Sequence, residues 1–261
     1  MKKSIIFASH IPTPDKLSIG VESLNKFVES FSEYDVYIGI NNSCQEWYDC
    51  IEEYSKKLNI FKETTPKHLL IDSDASAFQS GLRLLKSTGN KYGIYWFGHT
   101  KGATSGSHEI RNEITNIFWN KKVIIEKKII EEGFSMYSPF MGTCSDRNGD
   151  VDENQMNSSL SLFINGHKNN GLSSYFTFWV HSGEIINRFI GESKDIFFNK
   201  KLINFKINEE GDVIDRYFFE RDFPMIYQKF LKNPKILFHK LLLHNKQHLD
   251  YVMNRCTHLT F

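Results

Sequence analysis

Tyr92-Gly93-Ile94-Tyr95-Trp96-Phe97-Gly98-His99-Thr100-Lys101-Gly102 is the stretch on which the fold turns. From Tyr92 to Phe97 no side chain carries a charge. A short run that is apolar at every position fits a strand covered on both faces, so it predicts a central strand of a sheet. Gly98 ends the run, and His99, Thr100 and Lys101 follow as polar groups where such a strand would emerge.

Toward the N-terminus the same grammar repeats. Ser4 to Ala8 reads as a buried strand, and Ser18 to Phe31 as a helix with Val21, Leu24, Phe27, Val28 and Phe31 at helical spacing. Asp35 to Ile40 is a second strand, closed by Asn41-Asn42-Ser43. Glu46 to Leu58 reads as a helix presenting Trp47, Cys50, Ile51 and Tyr54 on one face. His68 to Ile71 is expected to be a third short strand, and Ala75 to Leu85 a helix capped by Ser73 or Asp74. Strand and helix in alternation predict an α/β fold with a mostly parallel sheet of Rossmann-type winding.

Toward the C-terminus, Glu109 to Glu132 reads as helical with a break near Asn120, and Phe134 to Met141 as a strand. Cys144 to Asn157 is expected to be a loop, Leu160 to Ile164 and Ser174 to Val180 strands, and Ser182 to Ile190 a short helix. From about Pro224 to Asn254 the spacing suggests helix. The expected organisation is one domain, with a core over about 1–222 and a helical C-terminal extension over 223–261.

Composition narrows the function classes. The formal net charge of +1 gives no overall field favouring nucleic acid. Cys44, Cys50, Cys144 and Cys256 form no Cys-x-x-Cys pair, so zinc-ribbon and dithiol redox motifs are absent, and the thiols read as free in a reducing compartment. The apolar start stops at Ser9-His10, too soon for a signal peptide, and no run approaches the ~18 apolar residues of a membrane span. A cytoplasmic protein is expected, at most in peripheral contact with a membrane. No Gly-x-Ser-x-Gly elbow and no Gly-x-Gly-x-x-Gly loop occurs.

In open parallel sheets ligands bind beyond the carboxyl ends of the strands. That rule puts His10, Asn41, the Asp72-Ser73-Asp74 loop and His99-Thr100-Lys101 along one rim. Asp72 and Asp74 have a spacing that can hold a divalent cation bridging phosphates, or Asp74 simply caps a helix. Lys101, and His99 when protonated, can offset the charge of a leaving diphosphate, with Thr100 and the Gly102 amide adding hydrogen bonds, or Gly98 and Gly102 simply make this an exposed turn. Glu220 or Asp222, after the aromatic run Tyr217-Phe218-Phe219, can take a proton from an attacking hydroxyl, or form a surface ion pair. His181, in Trp179-Val180-His181-Ser182-Gly183, can contact a sugar or be structural, and a metal site built from His99, His108, Glu109 and His181 matches no zinc spacing.

The strand with its His99-Thr100-Lys101 ending resembles a signature of GT-A-type glycosyltransferases of the rhamnan-synthesis kind and relatives in polysaccharide gene clusters and large DNA viruses. Asp74 to Leu82 resembles the loop and helix beside the donor nucleotide, and Phe176 to Gly183 the aromatic strand and turn on the acceptor side. The resemblance implies a GT-A-like Rossmann-type mixed sheet flanked by helices, and sugar transfer from a nucleotide-diphospho-sugar to a carbohydrate acceptor. Together with the strand-end rim, it predicts donor contacts from His10, Asn41, Asp72, Asp74, His99, Thr100 and Lys101, and acceptor contacts from Trp179, His181 and Arg111. Glu220 resembles the family's late acidic residue; the Trp that usually precedes Arg111 is missing. His-Thr-Lys in place of the usual acidic pair makes a Mn or Mg requirement doubtful. A non-catalytic binder of carbohydrate or nucleotide-sugar with the same fold is the alternative, and a GT-A-like nucleotidyltransferase a third, disfavoured by the lack of a glycine-rich phosphate loop.

Overall fold

The computed structural model describes residues 1–70, 74–100, 113, 117–143, 163–164, 172–174, 178–201, 219, 223–242, 252–254 and 257–258. Strands β1 (Lys3–Ser9), β2 (Asp35–Ile40), β3 (Asn59–Thr64) and β4 (Ile94–His99) alternate with helices α1 (Leu17–Phe31), α2 (Gln45–Tyr54) and α3 (Asp74–Thr88). After them come α4 (Lys122–Ile130), β5 (Met136–Thr143), β6 (Leu172–Ser174), β7 (Trp179–Ser182), α5 (Gly183–Glu192) and α6 (Ile196–Asn199). A 3-10 turn (Phe223–Ile226), α7 (Tyr227–Phe230), β8 (Ile236–Leu242) and β9 (Thr257–His258) close the described chain.

These strands make one sheet in the order β3-β2-β1-β4-β7-β5-β8-β9, with β6 beside β5. β1 to β4 are mutually parallel, β7 runs antiparallel between β4 and β5, and β8 and β9 continue parallel to β5. The fold is therefore α/β with a mostly parallel mixed sheet flanked by helices. The strand order reverses at β1: the chain steps outward to β2 and β3, then crosses back to β4 on β1's other side. As its uncharged run requires, β4 is interior, with all its residues buried.

Side chains alternate between two cores. Ile6, Ala8, Tyr37, Tyr95, Phe97 and Trp179 meet α3, α5, α6 and the segment around Phe223 on one face. Ile5, Phe7, Ile38, Trp96 and Val180 meet α1, α2 and α4 on the other. Gly39 fixes the distance of α3 from the sheet: a Cβ there would fall 1.8 Å from the Ala77 carbonyl oxygen. That close approach carries the N-terminus of α3 up to the carboxyl ends of β2 and β4.

Several expectations are corrected. The third strand is Asn59–Thr64, and residues 67–69 form a turn where the sequence pattern suggests a strand over His68 to Ile71. β3 is the edge of the sheet, with Asn59, Lys62 and Thr64 lacking the apolar run that marks a covered strand. The helix expected over Glu46 to Leu58 ends at Tyr54 to make room for it. Ser174 to Val180 is divided between β6 and β7, and Phe163 and Ile164 lie in a turn rather than a strand.

The helical C-terminal extension is overturned as well. After α7, Asn233-Pro234 breaks any helix, and Ile236–Leu242 joins the sheet beside β5. Leucine-rich runs suit a buried helix or a doubly covered strand equally, and burial of Ile236, Leu237 and Phe238 against both cores decides for the strand. The break expected near Asn120 is present: residues 117–120 are helical, Lys121 is a turn, and α4 follows. Cys44 and Cys50 are free thiols. No helix among the described residues is long and apolar enough to cross a membrane.

Candidate functional site

At the carboxyl end of β1 the chain leaves the sheet at His10, directly across from Thr100 at the end of β4. The His10 backbone N–H donates to Thr100 Oγ1 at 3.0 Å, and the Thr100 hydroxyl donates back to the His10 carbonyl at 3.3 Å. The Thr100 N–H donates to the Ala8 carbonyl at 3.1 Å, which extends the β1–β4 pairing by one step. On the other flank, His10 Nδ1 lies 2.8 Å from the Asn41 carbonyl oxygen at the end of β2. Asn41 is itself anchored, its N–H donating to the Ser9 carbonyl at 2.8 Å. Asn42 adopts a left-handed φ of 35°, a conformation Asn tolerates better than most residues, and this turns the chain back. Ser43 then receives the Ile11 N–H at 3.0 Å. Three strand ends thus converge on one histidine.

A second pair lies one strand-face away. His99, the last residue of β4, points its ring toward α3, with Nδ1 2.5 Å from Asp74 Oδ2. His99 is 6% exposed and Asp74's side chain 33% exposed, so the pair bridges core and surface. Phe178 packs 5.2 Å from the imidazole and Phe78 lies 6.5 Å away, ring centre to ring centre. A carboxylate accepting from Nδ1–H fixes both the orientation and the tautomer of the ring. Asp74 opens α3, where negative charge is also favoured by the helix dipole.

Of the residues expected at the rim, the structure brings together His10, Asn41 and Thr100 in one cluster and Asp74 with His99 in another. Asp72, Lys101, Arg111, Glu220 and Asp222 lie outside the described residues. Trp179 and His181 are corrected: both are 0% exposed, in the core rather than on an acceptor surface. Trp179 stacks on Phe97 at 4.7 Å and nearly parallel. His181 sits beside Tyr95 and Met136 in the sheet. Burial pushes its imidazole down to about 3, an effect that the Ser135 and Pro224 backbones only soften. Neither ring nitrogen has a hydrogen-bond partner of good geometry among the described residues, so the ring is a neutral core group.

Sequence reasoning missed the loop 65–70. It leaves the carboxyl end of β3, tied in by the Thr65 N–H donating to the Ile40 carbonyl at 2.8 Å, with Lys67 and His68 exposed. The signal available was the mixed composition of Asn59 to Thr64, with Ile60 and Phe61 set among polar residues, which suits a half-solvated edge strand ending just before them.

The arrangement offers hydrogen-bonding groups of both signs at the crevice between β1 and β4. That crevice is the point where the strand order reverses, and in open α/β sheets it is where ligands bind. No family model matches the chain, and no curated protein matches it.

Proposed function

We propose that the protein is a GT-A-type glycosyltransferase that moves a sugar from a nucleotide-diphospho-sugar to a carbohydrate acceptor. The observation that carries this reading is the gathering of His10, Asn41 and Thr100, with Asp74 and His99 beside them, at the reversal point of a mostly parallel sheet. The interior position of the strand ending in His99-Thr100 supports the same reading, since that strand carries the family-like signature.

In the reaction an acceptor hydroxyl attacks the anomeric carbon, and the bond from that carbon to the diphosphate oxygen breaks. Glu220 or Asp222 takes the hydroxyl proton. Lys101 offsets the charge that appears on the diphosphate, a role a Mn or Mg ion held by Asp72 and Asp74 would otherwise share. His10, Asn41, Asp74, His99 and Thr100 hold the donor, and Arg111 is the residue assigned by resemblance to bind the acceptor. A thermal-shift screen against UDP-, GDP- and dTDP-sugars tests the proposal, followed by an assay for slow hydrolysis of whichever donor binds. The expected outcome is a raised unfolding temperature with one nucleotide class and release of its nucleoside diphosphate. Absence of any shift across the panel would sink it.

Burial of Trp179 and His181 removes two of the acceptor contacts and favours a second reading, a non-catalytic nucleotide-sugar binder of the same fold. Binding without any hydrolysis or transfer is its signature.

A further inference from the structure

His10 is held on every polar atom but one. Its N–H donates to Thr100 Oγ1, its carbonyl accepts from the Thr100 hydroxyl, and its Nδ1 meets the Asn41 carbonyl. A carbonyl oxygen can only accept, so Nδ1 carries the hydrogen. In the neutral ring this leaves Nε2 as a bare acceptor, and it has no partner among the described residues. The side chain is half-buried, and its position is set from three strands at once. In the neutral ring it is therefore an acceptor held in place at the crevice where the strand order reverses, the place a nucleotide is expected to bind in a sheet of this winding.

Resting on the nucleotide-sugar reading, we infer that His10 Nε2 accepts a hydrogen bond from a ring N–H of the donor's base and so selects uracil, thymine or guanine against cytosine and adenine. The first three carry a hydrogen on a ring nitrogen of their pairing edge. The last two present a lone pair there, and two lone pairs facing each other at a fixed distance leave both groups unsatisfied. Sites that hydrogen-bond a substrate N–H reject analogues without it more strongly than sites that discriminate by shape. The sugar and diphosphate take no part in this choice, so it is readable in nucleoside diphosphates alone.

The experiment is calorimetric titration of the full chain with UDP, dTDP, GDP, CDP and ADP, repeated on His10→Asn and His10→Gln. Asn keeps a donor near the position of Nδ1 for the Asn41 carbonyl and removes the acceptor at Nε2. Gln reaches further and can return an acceptor oxygen to that point. The tightest ligand is expected among UDP, dTDP and GDP, with CDP and ADP weaker by about tenfold or more, the size of one unsatisfied hydrogen bond. His10→Asn should reduce that preference to about twofold or less with an unchanged unfolding curve, and His10→Gln should restore part of it. CDP or ADP binding as tightly as the best of the other three overturns the inference and leaves the nucleotide-sugar reading standing. So does a preference that survives His10→Asn. Failure of all five to bind removes the nucleotide-sugar reading, and the inference with it.

Discussion

Near the amino end of β4, polar groups close on one another. Tyr92 donates its hydroxyl to Asp35 Oδ2 at 2.5 Å, and the Tyr37 hydroxyl lies 2.8 Å from that of Tyr92. Because Asp35 can only accept, the chain of donation runs from Tyr37 through Tyr92 to the carboxylate. The Tyr95 hydroxyl donates to Asn187 Oδ1 at 2.5 Å, and Asn187 donates on to the Tyr92 carbonyl at 2.9 Å. Burial raises the Tyr92 and Tyr95 hydroxyls well above the ordinary tyrosine range, so neither ionises near neutral pH. At the carboxyl end of the same strand, His10, Asn41 and Thr100 are locked just as firmly, yet one acceptor of His10 stays open. The two ends use the same physics of preorganised polar groups. At one end Tyr92, Tyr95 and Asn187 give their hydrogen bonds to the fold; at the other His10 Nε2 stays open, the atom that the nucleotide-sugar reading assigns to the donor's base.

The histidines make the contrast sharpest. His181 lies beside Tyr95, toward the closed end, its ring nitrogens without a well-aligned partner among the described residues. Its proton affinity is lowered to about 3 from the ordinary 6.5. In the unfolded chain the ring regains its ordinary value. Between those two values the unfolded state therefore binds more protons, and stability falls as pH drops below 6.5. The contribution lost by pH 5 is about 2 kcal/mol. Urea unfolding at pH 5, 6.5 and 8 measures it, with His181→Leu as the control. The variant should lose that part of the slope between pH 6.5 and 5. An identical slope in both proteins would mean that water or another group satisfies the ring, and the closed end would not be closed at His181.

A smaller effect is expected from Tyr92→Phe. It removes the hydroxyl that relays between Tyr37 and Asp35 and leaves both partners to find water or each other. The expected loss is about 1–2 kcal/mol of stability, toward the low end for a hydrogen bond to a charged acceptor because Asp35 is only half-buried. Nucleoside diphosphate affinity should be unchanged, because the network lies at the opposite end of β4 from His10. A loss of binding with intact stability would invert the comparison.

How much of this is legible without coordinates depends on whether burial leaves a mark on composition. β1, β2 and β4 are covered on both sides, and their apolar runs say so; from them the rim positions of His10, Asn41, His99 and Thr100 follow, and Asp74 from the helix that α3's pattern predicts, although the burial of its Ser76, Gln79 and Ser80 leaves no such mark. β3 is an edge, half solvated, and its Lys62 and Glu63 hide it, along with the loop holding Lys67 and His68. β8 is hidden for the opposite reason, since a run of leucines is compatible with either secondary structure. Trp179 and His181 sit in a strand whose exposure is decided by Phe97 and by Phe223 packing from distant parts of the chain, which no local pattern reports. The hydrogen-bond polarity at His10 is likewise invisible, because it depends on which atom of Asn41 faces the ring.

The smallest effect on folding should come from Asp74→Asn. The substituted amide would still offer an oxygen to His99 Nδ1–H, so the ring keeps its orientation, and only the negative charge is lost. That charge is a third exposed at the start of α3, where solvent screens both its attraction to the imidazole and its interaction with the helix dipole. The stability cost is about 0.5–1 kcal/mol at most. Its effect on ligand binding should be the larger one. Under the nucleotide-sugar reading the carboxylate lies beside the donor diphosphate, directly or through a cation. Removing a unit charge at such a distance changes affinity by about fivefold or more at low salt, and by less at high salt. Tyr92→Phe and Asp74→Asn therefore form a crossed pair, one moving the unfolding curve and the other the binding isotherm. If Asp74→Asn instead destabilises the protein as much as Tyr92→Phe and leaves affinity untouched at every salt concentration, the His99–Asp74 pair is a second closed cluster. The ligand-facing part of the rim would then shrink to His10, Asn41 and Thr100.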